Sequence, residues 1–277
     1  MTTQKTKRML RMVAFMVGLG GAGQCFATDA ATALDAALAG GHRSAANQAR
    51  DQYRHPKETL LFFGLEPQMR VVEMLPGGEG WYTEVLAPTL RDSGTLVTVT
   101  PPADSPTDYL REHFKKLNAK LDAAPEVYDR VERRTMSKDN IDLGAPGSAD
   151  MVVTFRSTHN WIRGGQLDAV YKAIFAVLKP GGILGIEQHR GLNDWDPLAK
   201  AASGYVPEAY LIKYLESLGF KLDGKSEINA NAKDTKDYPD GVWTLPPSLT
   251  LGDKDREKYL AIGESDRMTL KFRKPAP

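Results

Sequence analysis

Residues 71–90 read VVEMLPGGEGWYTEVLAPTL: an apolar run holding the acidic residue Glu73, then Gly77, Gly78 and Gly80, then a helix-like segment. Glycines so placed let a backbone pass close to a nucleoside, and the free N–H groups of a helix starting near Gly80 can receive a carboxylate or phosphate. The bland alternative is a tight strand-to-helix connection. Further along, ADMVVTFRSTHNW brings His159, Asn160 and Trp161 to the exit of a second apolar run, and a third run ends in Glu187, Gln188, His189 and Arg190. An imidazole titrates near neutrality, so His159 can act as a general base; it can equally pack and hydrogen-bond at a strand end. Asp51, Arg54 and His55 are spaced to share one helical face, which would either cap a site or stand as an exposed charged face.

The five histidines, His42, His55, His113, His159 and His189, form no helical pair and no ligand-spaced cluster, so no metal site is expected unless His55, His159 and His189 converge in space. No Gly-x-Ser-x-Gly elbow and no Gly-Lys-Ser/Thr phosphate loop occurs, which leaves hydrolase and nucleotide triphosphatase chemistry without support.

The elements that must position these groups alternate. MRVVEML, GTLVTVT, EVYDRVE, ADMVVTF and GGILGIEQ read as strands, with GWYTEVLAPTL, SPTDYLREHFKKLNAKL and QLDAVYKAIFAVLK as helices among them. PEAYLIKYLESLGF is a further helix, and KLDGKSEIN and RMTLKFRK are two closing strands separated by an ordered loop over 229–266. Ahead of the first strand, TALDAALAG, RSAANQARDQYR and PKETLLFFGL are helix-like; the first two break at Gly40-Gly41, and the third opens on Pro56 and ends at Gly64. Strands joined by crossover helices predict a mostly parallel, seven-stranded sheet with helices on both faces. Residues 28–64 are then amino-terminal helices and 65–277 a single α/β domain.

VLKPGGILGIE sets a helix end, a Lys-Pro-Gly-Gly turn and an apolar strand in sequence, and with the glycine turn at 77–80 it resembles the Rossmann-like class I S-adenosylmethionine-dependent methyltransferases. RDQYRHPKETLLFFGL, GGEGWYTEVLAP, VTFRSTHNW, SEINANAKDTKD and GVWTLPPSL resemble a family of exported bacterial proteins of that class, from about Arg50 to the carboxyl terminus. The resemblance implies S-adenosylmethionine as cofactor, held by Glu73, Gly77, Gly78, Gly80 and Thr100, and a small-molecule acceptor. It further implies His159, Asn160 and His189 as catalytic groups, with Asp51, Arg54, His55, Trp161, Glu187 and Arg190 towards the substrate. Three positions depart from the pattern. Leu75 stands where the first loop glycine is expected, Glu79 is an extra loop residue, and the strand ending VTVTPP lacks the acidic residue that grips two ribose hydroxyls, leaving Thr100 or Asp104 instead. Each lost carboxylate contact costs on the order of 1.5 to 3 kcal/mol. A non-catalytic, exported ligand-binding protein on the same fold is therefore the alternative. A nicotinamide-dependent oxidoreductase lacks its Gly-x-Gly-x-x-Gly spacing.

The chain has 277 residues, 42% hydrophobic and 26% charged, ordinary for a globular domain. It opens with Lys5, Lys7, Arg8 and Arg11, then an apolar run MVAFMVGLGGAG, then small residues Cys25 and Ala27 flanking Phe26, which reads as a secretory signal peptide over 1–27. No stretch reaches the roughly 18 to 20 apolar residues of a transmembrane helix, so no stable membrane insertion is expected. Cleavage after Ala27 would remove the one cysteine and four of the 36 basic residues, leaving 35 acidic residues in slight excess. Nothing in that balance favours nucleic acid. The mature protein is expected in the periplasm or medium, where a donor as charged as S-adenosylmethionine, made inside cells, does not arrive unaided across a bilayer. Amino-terminal sequencing of the exported protein should begin at Thr28; a chain retaining Met1 would refute the leader.

Overall fold

Alternating apolar side chains divide the central strands between two cores. The structure is a computed structural model that describes residues 1–2 and 29–276, so the leader beyond its first two residues lies outside the described residues. In strand β1 (Arg70–Met74), Val72 and Met74 join one apolar cluster and Val71 the other. In β4 (Ala149–Phe155), Val152 faces the first cluster while Met151 and Val153 face the second, the two-residue period of a sheet covered on both sides. Helices Leu167–Val177 and Glu208–Ser217 pack on the first face; Ala30–Leu38, Pro56–Phe63, Thr83–Leu90 and Asp108–Ala123 contribute to the second.

With β2 (Thr95–Thr100), β3 (Glu132–Thr135), β5 (Leu178–Gly191), β6 (Val206–Pro207), β7 (Lys221–Ser226) and β8 (Arg267–Arg273), the sheet runs β3-β2-β1-β4-β5-β8-β7. The first five strands are parallel, and β8 is antiparallel to both β5 and β7. The seven expected strands are joined by an eighth, the two-residue β6, which pairs with the end of β5 at Arg190 and Gly191. β1 and β4 are neighbours whose crossovers depart to opposite sides, and ligands of such sheets bind beyond the carboxyl ends at that point. Gly185 of β5 allows the helix Pro56–Phe63 to close on the sheet: a Cβ there would lie 2.6 Å from the Phe63 ring.

Four local expectations are corrected. EVYDRVE is not a strand: Pro125 starts a helical turn, Pro125–Tyr128, and the pairing segment begins only at Glu132. The 229–266 segment is not wholly loop, since it contains the turn Gly241–Thr244 and the helix Arg256–Ile262; β7 and β8 being antiparallel, no crossover is needed. RSAANQARDQYR forms two short helices, Ala45–Gln48 and Asp51–Arg54. His55 leaves the second of these with φ +40°, so Asp51, Arg54 and His55 do not share a helical face. Among the described residues no helix is long and apolar enough to cross a membrane.

Candidate functional site

β1 delivers Glu73 to the carboxyl end of the sheet, where its side chain is buried and accepts a hydrogen bond of 2.7 Å from Thr83 Oγ1. Burial pushes its carboxyl up to about 7, against the pull of the Thr83 bond and of Arg156. The turn beyond is left-handed at three places: Leu75 (φ +49°), Gly77 (φ +74°) and Gly80 (φ +56°). Leu75 thus keeps a backbone conformation that suits glycine, a strain of about 1 kcal/mol or more, and its side chain lines the cleft. Gly78 passes against Asp108–Ala123: a Cβ there would come within 3.1 Å of the His113 ring. Glu79 turns outward and pairs with the exposed Lys116, so it neither fills the cleft nor faces a ligand's carboxylate there.

The cleft above β1, β2 and β4 encloses about 260 Å³ and is bounded by Glu73, Leu75, Gly77, Thr100, Phe155 and Asn160, with Tyr109, Trp243 and His189 closing it. Thr100 directs its hydroxyl to the Arg134 carbonyl at 3.5 Å, and Asp104 is not among the lining residues, so no carboxylate stands at the end of β2. A second compartment of about 350 Å³ adjoins it, sharing Gly77, Trp81, Arg156, His189 and Trp243. Tyr82 forms the floor: its ring stacks on Phe155 at a centroid distance of 3.4 Å, and its hydroxyl donates to Glu187 at 2.8 Å.

The two histidines diverge. His189 lines both compartments, and its Nδ1 lies 2.5 Å from Ser265 Oγ. Burial, then His159 and the nearby arginines, hold its pKa well below the usual histidine range, so the ring is neutral at pH 7. His159 sits behind it, 5.8 Å away between ring centroids, with Nδ1 beside Gln188 at 3.3 Å and Nε2 buried without a partner among the described residues. Burial lowers its pKa to about 4. His159 does not reach the cleft and is a packing histidine, contrary to the expectation drawn from its place after β4.

Other expected site residues are already engaged. Glu187 is wholly buried and accepts from Tyr82, from Arg156 at 3.0 Å and from Arg267 at 3.1 Å, so it supports the floor. Arg190 is spent on Asp266 and Glu227, at 2.8 and 2.7 Å. Trp161 packs in the core against Tyr171, and Asp51 holds Arg43 through two bonds of 2.7 and 2.8 Å. His55 lies in a third cavity beside Asn229. Arg54 does reach the second compartment. Missed from sequence were Arg156, Arg50, Arg267, Ser265 and Trp243; the one available signal was that Arg156 is the first residue beyond β4, where it takes φ +59°. Among the described residues no group of three or more His, Cys, Asp and Glu could hold a metal ion.

No family model matches the sequence, and neither does any curated protein. Solved structures do match. A SAM-dependent methyltransferase from Aquifex aeolicus is 14% identical with a TM-score of 0.54, over 82% of this chain and 93% of that one. One from Methanosarcina mazei is 11% identical with a TM-score of 0.51, over 79% and 98%. The [4+2]-cyclase SpnF is 15% identical with a TM-score of 0.55, over 91% and 98%. At these identities the likeness carries the fold alone: the chain has the Rossmann-like fold of the class I methyltransferases.

Two buried titrations at this end of the sheet oppose each other. His159 resists protonation down to about 4 where a free imidazole charges near 6.5, so it subtracts stability as pH falls through that window. Glu73 stays protonated up to about 7 where a free glutamate ionises near 4.5, so it adds stability that is lost as pH rises. In urea unfolding between pH 4 and 7, His159→Gln should make the acid-side loss shallower and Glu73→Gln should make it steeper, each by on the order of 2 to 3 kcal/mol across the range. Parallel profiles for both variants and the parent would refute these burial effects.

Proposed function

We propose that this protein transfers a methyl group from S-adenosylmethionine to a small acceptor. The observation that carries the reading is the cleft beyond β1 and β4, into which a buried, readily protonated carboxyl, Glu73, faces from beneath a left-handed glycine turn. The residues fit the donor with two deficits. Glu73 and the Gly77 backbone can receive its polar groups and Phe155 and Tyr109 its apolar surface, while Thr100 supplies a hydroxyl where a carboxylate is usual and Leu75 narrows the pocket. Contrary to expectation, Gly78 lines only the second compartment and Gly80 lines neither, packing instead against Leu117. When bound, the donor supplies an electrophilic methyl carbon on a sulfonium.

The chain's own part is to position the acceptor, exclude water and take a proton. In the tautomer whose Nδ1–H donates to Ser265, the other ring nitrogen of His189, which lines both compartments, is left as an acceptor. Its depressed basicity suits an acceptor whose proton becomes acidic only as the methyl arrives, so removal accompanies displacement. Asn160, which lines the first cleft only, offers an amide to orient the acceptor.

Calorimetric titration with S-adenosylmethionine and S-adenosylhomocysteine tests the reading. Binding is expected, weakened by the missing ribose carboxylate; Thr100→Asp should tighten it about tenfold or more. His189→Gln should lower turnover with donor affinity unchanged. No heat at millimolar donor from either protein would sink the proposal.

A further inference from the structure

The second compartment carries more positive charge than the protein neutralises. Arg50, Arg54, Arg156 and Arg267 reach it from three separate parts of the fold: the short amino-terminal helix, the exit of β4 and the start of β8. Their side chains are 21%, 4%, 21% and 1% exposed, so water screens them poorly. Only two carboxylates meet them. Glu264 takes Arg50 at 2.7 Å, Arg54 at 3.2 Å and a third bond from Arg267, and Glu187 takes Arg156 and Arg267.

The other acidic groups nearby do not close the gap. Glu73 faces Arg156 yet remains protonated up to about 7, Glu79 at the rim is matched by Lys116, and Asp51 belongs to Arg43. Four guanidiniums therefore stand against two fixed carboxylates. Two of their nitrogens, Arg50 Nη2 and Arg267 Nε, are buried without a hydrogen-bond partner among the described residues. Arg54 engages Glu264 through Nε alone, with its guanidinium 4.7 Å from the Trp81 ring centroid. Buried charges left uncompensated are costly, and arginine forks match planar or tetrahedral oxyanions.

We propose that this compartment binds an acidic substituent of the acceptor, a carboxylate or phosphate, through Arg50, Arg54 and Arg267. The word acceptor rests on the methyl-transfer reading; the anion site rests on the arginines. The methyl donor is a poor occupant, because its one carboxylate comes with two cationic centres and cannot offset the excess. An acidic group held here directs the rest of the molecule towards His189 and Arg156, in the wall shared with the cleft above Glu73.

Titration of the mature protein with inorganic phosphate and with succinate, against chloride at equal ionic strength, tests this without any methyl donor. Saturable binding of at least one oxyanion is expected, and whichever binds tighter names the acidic group. Arg50→Gln, a partly exposed change, should weaken it at least tenfold, whereas Glu264→Gln, which removes a competing carboxylate, should strengthen it. If Glu264→Gln does not fold, the Arg50 comparison alone decides. Saturating S-adenosylhomocysteine should leave the anion's affinity unchanged. Binding no better than chloride, indifference to Arg50→Gln, or displacement by S-adenosylhomocysteine would each overturn the proposal. Failure of donor binding alone would sink the methyl-transfer reading and leave this site standing.

Discussion

A single buried carboxylate, Glu187, fixes the geometry on which the site depends. It stands in β5 with no exposure to solvent, and it accepts from Tyr82, Arg156 and Arg267. Those partners come from the turn after β1, the exit of β4 and the start of β8, so one charge ties together the segments that border the cleft. Burial alone would push the Glu187 carboxyl up, but the arginines outweigh it and hold it below the usual carboxylate range. The anion is therefore kept by its cations, and loss of either side leaves a buried charge unpaired, typically a penalty of 3 to 5 kcal/mol.

The other contacts follow from that junction. Tyr82, held by Glu187, lays its ring on Phe155, and its neighbour Trp81 donates to the Asn47 carbonyl at 2.9 Å. Through Trp81 the amino-terminal helices become part of the ligand end of the sheet, and they bring Arg50 and Arg54 with them. Glu84 deepens the attachment: wholly buried, it accepts from Asn47 at 3.0 Å and meets Lys120 and Arg43. The amino-terminal helices thus form a wall of the site.

Much of the fold was legible because it rests on local pattern. Short apolar runs marked β1, β2 and β4, Pro56 and Gly64 bracketed a helix, and the turn at Gly77–Gly80 gave the ligand end. The site was less legible because its partners are distant in sequence. Glu264 meets Arg50 across 214 positions and Glu187 meets Arg267 across 80, and nothing local to either residue announces the pairing. For the same reason Glu187 and Arg190 read as ligand contacts when they are occupied by internal partners; Asp51 was misread although its partner, Arg43, lies only eight positions away. Leu75 carried a half-correct signal: the side chain does narrow the cleft, but the backbone retains the left-handed turn. Glu79 carried none, since a lysine 37 positions on draws it outward.

The central dependence is open to direct measurement through the unfolding free energy of Glu187→Gln, compared with the parent in chloride and in phosphate at equal ionic strength. Glutamine keeps the shape and removes the charge, leaving Arg156 and Arg267 one anion short. The expected result is a loss on the order of 3 kcal/mol in chloride, partly recovered in phosphate as the oxyanion takes up the freed guanidiniums. A variant as stable as the parent in chloride, with no response to phosphate, would contradict the place given to Glu187.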